Sequence, residues 1–184
     1  VLQKRATGDS GIRAGVLGAS FGSLEWLAGW LLVLALLAGL AAPVAELAGL
    51  DPLTDDPWIR GVGAALAVVG VVLTFLAQLD MGTAWRVGID IEERTELVTG
   101  GAFGIVRNPI FSALLLASAG LALMVPNPIS ILGFVVLLAA VEIQVRVVEE
   151  PHLRRLHGSD YRGYEERVGR FLPGIGVTAR PTPP

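Results

Sequence analysis

The chain has 184 residues, of which 53% are hydrophobic, with a mean hydropathy of +0.63 and a formal net charge of -3 at pH 7. So apolar a composition excludes an ordinary soluble domain of this size, implies no nucleic-acid partner and indicates an integral membrane protein. The absence of cysteine removes disulfides, thiolate nucleophiles and Cys-ligated metals.

Residues 1–20 are expected to form a flexible N-terminus, because Gly8, Asp9, Ser10, Gly11 and Gly15 leave no periodic apolar face. Four apolar segments follow, at residues 24–42, 61–79, 109–125 and 129–141, the last with a more polar extension to 148. The first two approach the roughly 20 residues that a helix needs to cross the hydrocarbon core. The first is too long for a signal peptide and has no small-residue cleavage site before the next loop. The last two are shorter and joined only by Pro126-Asn127-Pro128, which predicts a helical hairpin that either spans tightly or is sheltered by the other helices. The expected fold is an all-α integral membrane helical bundle of about four transmembrane helices with a C-terminal cytoplasmic helical cap.

Of the fourteen Lys and Arg residues, all but Arg60 fall on one side of such a bundle. Basic loops stay in the cytoplasm, so both termini are placed there. The opposite loop carries Glu46, Asp51, Asp55 and Asp56 with no basic residue. Richness in Ala, Leu, Gly and Arg points to a GC-rich bacterium and its inner membrane. Residues 176–184, ending Arg-Pro-Thr-Pro-Pro, are expected to be disordered.

Polar clusters border the second pair of spans. Thr99-Gly100-Gly101 and Gly104 give a loop whose backbone can approach a ligand closely. Arg107-Asn108-Pro109 then starts a helix, with the proline in its first turn. Arg107 can fork a carboxylate or anchor the membrane interface. On the fourth helix, Glu142, Arg146, Glu149 and Leu153 share one stripe with Glu150 beside it, and such charges at membrane depth face inward. That stripe is either a salt-bridge ladder from Glu142 through Arg146 to Glu150, or a site for a ligand bearing positive charge or several hydroxyl donors. Pro151 predicts a bend, then a short helix ending at Gly158 and another carrying Tyr161 and Tyr164, residues that also suit the headgroup layer.

Gly18-Ala19-Ser20-Phe21-Gly22 lacks the strand-turn-helix of a nucleophile elbow, and Gly61-Val62-Gly63 fits helix packing rather than a nucleotide loop. His152 and His157 do not share a helical face, so no metal site is expected. Trp26 and Trp30 fit an interfacial and packing role.

From Leu97 to Pro173 the ordered set of motifs resembles the isoprenylcysteine carboxyl methyltransferase and phospholipid methyltransferase superfamily. The matching pieces are Thr99-Gly100, Arg107-Asn108-Pro109 with Phe111, Asn127-Pro128, Glu149-Glu150 with Leu153, and Gly158 with Tyr161, Tyr164, Arg167, Val168 and Pro173. The segment from Met81 to Asp90 is also similar to bacterial members. Asn108 stands where the family pattern has His, and Phe111 where it has Tyr.

The resemblance implies transfer of a methyl group from S-adenosyl-L-methionine, leaving S-adenosylhomocysteine, to a lipophilic acceptor from the bilayer. Residues 21–80 would then hold the first two spans and residues 81–175 the catalytic half. It implies catalytic roles for Arg107, Glu149 and Glu150. Cofactor contacts are implied for Thr99, Gly100, Gly101, Phe103, Asn108, Pro109, Phe111, Glu149, Glu150, Leu153, Tyr161 and Tyr164. Trp85, Arg86, Arg107 and Arg146 are implied for the substrate. Carboxyl O-methylation of an isoprenoid-like or other lipid acid leads, with phospholipid amine or thiol methylation beside it, and a non-catalytic membrane scaffold or ligand carrier as the reading from another class.

Overall fold

The computed structural model describes residues 22–81 and 97–178, and its regular elements are all helical. α1, Leu24–Leu47, begins at Ser23, whose side chain accepts the Trp26 N–H at 3.1 Å. It ends in a Schellman motif: Gly49 has φ 102°, its N–H donates to Glu46 O at 3.1 Å, and Leu50 N–H donates to Ala45 O at 2.9 Å. α2, Pro57–Met81, starts with proline in its first turn behind Asp56, whose carboxylate accepts the Trp58 N–H at 2.8 Å. Both helices therefore run several residues past their apolar segments. Arg60 holds these extra turns together, pairing with Glu46 at 2.7 Å and Asp55 at 3.4 Å and donating to Met124 O at 3.3 Å. At 1.5 Å per residue, each helix is about 36 Å long, enough to cross a bilayer core.

α3, Pro109–Met124, and α4, Pro128–Ile143, are joined by the turn at Asn127. Asn127 is fully buried and fully used. Its Oδ1 accepts the N–H groups of Ile129 and Ser130 at 3.1 Å, while Nδ2 donates to Ala42 O on α1 at 2.9 Å. Ser130 Oγ closes the capping box by accepting the Asn127 N–H at 3.2 Å. α3 is the short apolar helix of the four. α4 gains length by running on through a π-turn, Gln144–Glu149, into α5, Glu150–Glu165.

The bend predicted at Pro151 is absent. Glu150 keeps helical dihedrals of φ -59° and ψ -44°, and Pro151 sits in the first turn of α5. The preceding π-turn is wide enough to move aside the carbonyl that a proline ring would otherwise strike. The axis breaks instead at Gly158, with φ 55° and ψ -117°, a conformation open to glycine.

α2 lies along α3, and α1 along α4. Small residues set the first pairing: a Cβ added to Gly63 would lie 2.5 Å from Met124 N, and one on Gly120 would lie 2.6 Å from Gly63 O. Such close approach gains dispersion contacts where lipid removes the hydrophobic drive between helices. α3 and α4 meet more distantly, across Phe111, Leu114 and Leu115 packed on Leu137, Val141 and Val145. Leucines and valines such as Leu36, Leu40, Val68 and Val71 point outward from α1 and α2, as lipid-facing surfaces require.

Candidate active site

The Arg-Asn-Pro bend and the C-terminal segment hold each other through their backbones. Val106 forms a parallel bridge with Gly169, Arg107 N–H donates to Gly169 O at 2.8 Å, and Asn108 N–H donates to Arg170 O at 3.1 Å. Asn108 Nδ2 reaches the same carbonyl at 3.2 Å, so the asparagine that replaces the family histidine fastens the tail. Ser112 Oγ adds a bond to Phe171 O at 2.8 Å. The segment reverses at Pro173-Gly174, a proline and a glycine with φ 73° at the central positions of a type II turn, closed by Ile175 N–H to Leu172 O at 3.1 Å.

Arg107 is the centre of this end of the bundle. All four Nη hydrogens are engaged: Nη1 with Glu165 O at 3.1 Å and with Val168 O, Nη2 with Glu150 Oε1 at 2.9 Å and Gly176 O at 3.0 Å. A guanidinium beside the last carbonyls of α5 satisfies acceptors that the helix leaves open. Its Nε–H is buried and has no partner among the described residues.

Glu150, 2% exposed, gathers three arginines. Besides Arg107, Arg170 forks it through Nε to Oε1 at 2.7 Å and Nη2 to Oε2 at 2.9 Å, and Arg154 Nη2 lies 3.3 Å from Oε2. Arg154 also bridges to buried Glu165 at 2.8 Å. Pairing with Glu150 raises Arg170 above the ordinary arginine range, against the opposing cost of its burial. The ladder expected from Glu142 through Arg146 to Glu150 stops halfway: among the described residues Arg146 pairs with Glu142 alone, on an exposed face. The π-turn between Arg146 and Glu150 breaks the i,i+4 spacing that would have joined them.

Glu149 is turned away from this cluster. Half-buried, its carboxylate accepts one long bond, 3.4 Å from Gln144 Nε2, and pairs with no basic group among the described residues. Leu153 is half-buried one turn further on.

The glycine loop completes the end of the bundle. Gly101, with φ 57°, leads a 3-10 turn, Gly101–Gly104, whose Ala102 N–H donates to Asp80 Oδ2 at 2.7 Å. A Cβ on Gly101 would fall 2.5 Å from that oxygen. Thr99 and Gly100 are exposed and Phe103 is buried. Tyr164 donates from its hydroxyl to Phe103 O at 2.6 Å and meets Tyr161 edge to face at 6.0 Å, both rings buried within the cap. Pro109 is buried at the start of α3, and Phe111 packs on the α4 core. Trp85 and Arg86 lie outside the described residues.

The structure thus brings together Arg107, Asn108, Glu150, Phe103, Tyr161 and Tyr164, and leaves Arg146 apart on α4. Sequence reasoning missed Asp80, Arg154, Glu165 and Arg170. Asp80 had a signal, an acidic residue closing an apolar span ahead of a glycine pair. The others looked like ordinary charges of an interfacial helix and tail.

Residues 58–160 match the phospholipid methyltransferase family. The chain is 31% identical over 144 residues to protein-S-isoprenylcysteine O-methyltransferase B of Arabidopsis thaliana, spanning 77% of this chain and 73% of that one. It is 29% identical over 129 residues to a probable protein-S-isoprenylcysteine O-methyltransferase of Oryza sativa subsp. japonica, spanning 68% of each. A third relative is the nickel-cobalt-cadmium resistance protein NccN of Alcaligenes xylosoxydans xylosoxydans, 27% identical over 124 residues, 67% of this chain and 55% of that one. With apolar helices long enough to cross a bilayer and these matches, the chain is a helical membrane protein belonging to the phospholipid and isoprenylcysteine carboxyl methyltransferase family, which uses S-adenosylmethionine.

Proposed function

We propose that this protein transfers the methyl group of S-adenosylmethionine to a lipophilic acid arriving from the bilayer, forming a methyl ester. The observation that carries the reading is the buried contact between Arg107 and Glu150, which joins the Arg-Asn-Pro bend to the twin glutamates at one end of the spans. Family membership supplies the cofactor class.

The residues present suit that cofactor. Glu149 offers a carboxylate with no cationic partner among the described residues, complementary to an ammonium, a sulfonium or ribose hydroxyls. Arg107 Nε–H is a buried donor still lacking an acceptor, and the cofactor's carboxylate is one. Thr99, Gly100, Gly101 and Phe103 would give backbone contacts, Asn108, Pro109, Phe111 and Leu153 would line the approach, and Tyr161 and Tyr164 would stiffen the wall from behind.

When bound, S-adenosylmethionine supplies an electrophilic methyl carbon: an acceptor lone pair forms the O–C bond as the C–S bond breaks, its electrons stay on sulfur, and a carboxylate acceptor releases no proton. The chain's own work is positioning and exclusion of water, since opposite charges that cancel in the transition state react best in a dry site. Glu150 keeps Arg107 aimed, and the rigid cap holds Glu149 in place. Arg146, exposed and paired with Glu142, would meet an acidic headgroup, and Trp85 and Arg86, outside the described residues, are assigned the same substrate role. Both termini face the cytoplasm, where the cofactor is available.

Calorimetric titration of the purified protein with S-adenosylhomocysteine tests the cofactor class, and absence of binding returns the chain to a scaffold or carrier. Membranes incubated with methyl-labelled cofactor test the acceptor. Base-labile lipid label supports the ester, whereas base-stable label moves the reaction to an amine or a thiol.

A further inference from the structure

We infer that Arg170 is a positioning residue that decides which of the twin glutamates faces the site: by forking Glu150 it aims Glu149. The geometry stands without a cofactor, while its functional consequence rests on the methyltransferase reading.

Adjacent residues on a helix point about 100° apart, so the two carboxylates cannot share a face. Glu150 is drawn into the cap, and of the three guanidinium groups around it only Arg170 forks both oxygens, at 2.7 and 2.9 Å. Arg107 meets one oxygen at 2.9 Å and Arg154 the other at 3.3 Å. The Arg170 backbone carbonyl meanwhile accepts both Asn108 N–H, at 3.1 Å, and Asn108 Nδ2, at 3.2 Å. One residue thus ties the glutamate pair to the Arg-Asn-Pro bend.

The π-turn makes this tie directional. Gln144–Glu149 carries the turn, and Glu150 is the first residue beyond it. A wide turn of this kind is rare and reverts to α-helical register unless something past it holds the rotation, and reversion turns the flanking residues by about 100°. The lock on Glu150 is what holds it. With the lock in place Glu149 keeps, among the described residues, Gln144 as its one hydrogen-bond partner and stays available to a ligand.

Two readouts test the inference on the full chain in detergent. Arg170→Met keeps the apolar stem and removes the fork; Arg170→Lys keeps the charge without the fork and serves alone where Arg170→Met does not fold. Amide exchange across residues 145–149 should rise about tenfold or more in Arg170→Met and by less in Arg170→Lys. A rise confined to residues 168–178 overturns the inference, and this readout needs no cofactor.

The second readout is S-adenosylhomocysteine affinity in a double-mutant cycle. Arg170→Met should weaken binding about tenfold in the native background and leave it unchanged in Glu149→Gln, because one residue acts through the other. Additive losses mean a merely structural role and overturn it. Failure of the native protein to bind sinks the methyltransferase reading instead, and the exchange result alone then decides the inference.

Discussion

Arg107 and Glu150 stand 43 residues apart in the chain and 2.9 Å apart in the fold, their side chains 1% and 2% exposed. Ions sealed from water in this way persist only when paired and hydrogen-bonded, and each here has further partners. The pair joins the start of α3 to the start of α5, so the hairpin between them is closed at both ends, by Asn127 at the turn and by this contact at the cap.

Removing one partner should therefore cost more than a surface ion pair. Arg107→Met leaves Glu150 with two arginines and strands the carbonyls of Glu165, Val168 and Gly176. The expected loss is about 3–5 kcal/mol, seen as a lowered melting temperature in detergent. Arg107→Lys should recover little, because one ammonium cannot reproduce four fixed Nη donors. A lysine variant that melts with the native protein would show that charge alone, not the fork, holds the cap.

Glycines on α2 and α3 give a contrast between a packed and an open face. Gly120→Ala places a Cβ 2.6 Å from Gly63 O, with backbone on both sides, and should destabilise by about 1–3 kcal/mol. Gly61→Ala meets nothing within 4 Å and should stabilise the helix by about 0.5–1 kcal/mol. Thermal unfolding of the two variants side by side checks this, and equal shifts would contradict the close approach of α2 and α3.

Hydropathy made the four apolar segments legible, because lipid demands helices with outward apolar faces. The turn at Pro126-Asn127-Pro128 and the helix start at Pro109 were legible too. The cap was not. Its contacts join residues 20, 43 and up to 69 positions apart, and a charge pattern read at i,i+4 spacing assigns Arg146 to Glu150 when the π-turn has moved them out of register. Pro151 misled for the same reason: the bend it predicts is absorbed one turn earlier. The motif order singled out both glutamates, yet only coordinates separate the one held by arginines from its neighbour, which has no cationic partner among the described residues.

That separation predicts different phenotypes for two adjacent residues. Glu150→Gln removes the charge that three arginines share and should lower the melting temperature, at a cost of about 3–5 kcal/mol. Glu149→Gln removes a partly buried carboxylate without a cationic partner among the described residues, so it should leave stability unchanged or raise it while weakening S-adenosylhomocysteine binding. Melting curves and titrations on both variants check the division. Loss of stability in Glu149→Gln with binding intact would reverse the assignment.

The orientation is open to direct test because the chain has no cysteine of its own. Asp51→Cys places a thiol in the exposed loop between α1 and α2, and Ser159→Cys places one at an exposed position beside the kink at Gly158. Basic residues are retained in the cytoplasm, and among the described residues the arginines gather toward the cap end while Arg60 stands alone at the other. An impermeant maleimide should therefore label Asp51→Cys in intact cells and Ser159→Cys only after the membrane is opened. The site would need to be on the cytoplasmic side to meet a soluble nucleoside cofactor. Labelling of Ser159→Cys in intact cells would place the cap outside and remove the cofactor supply on which the methyl-transfer reading depends.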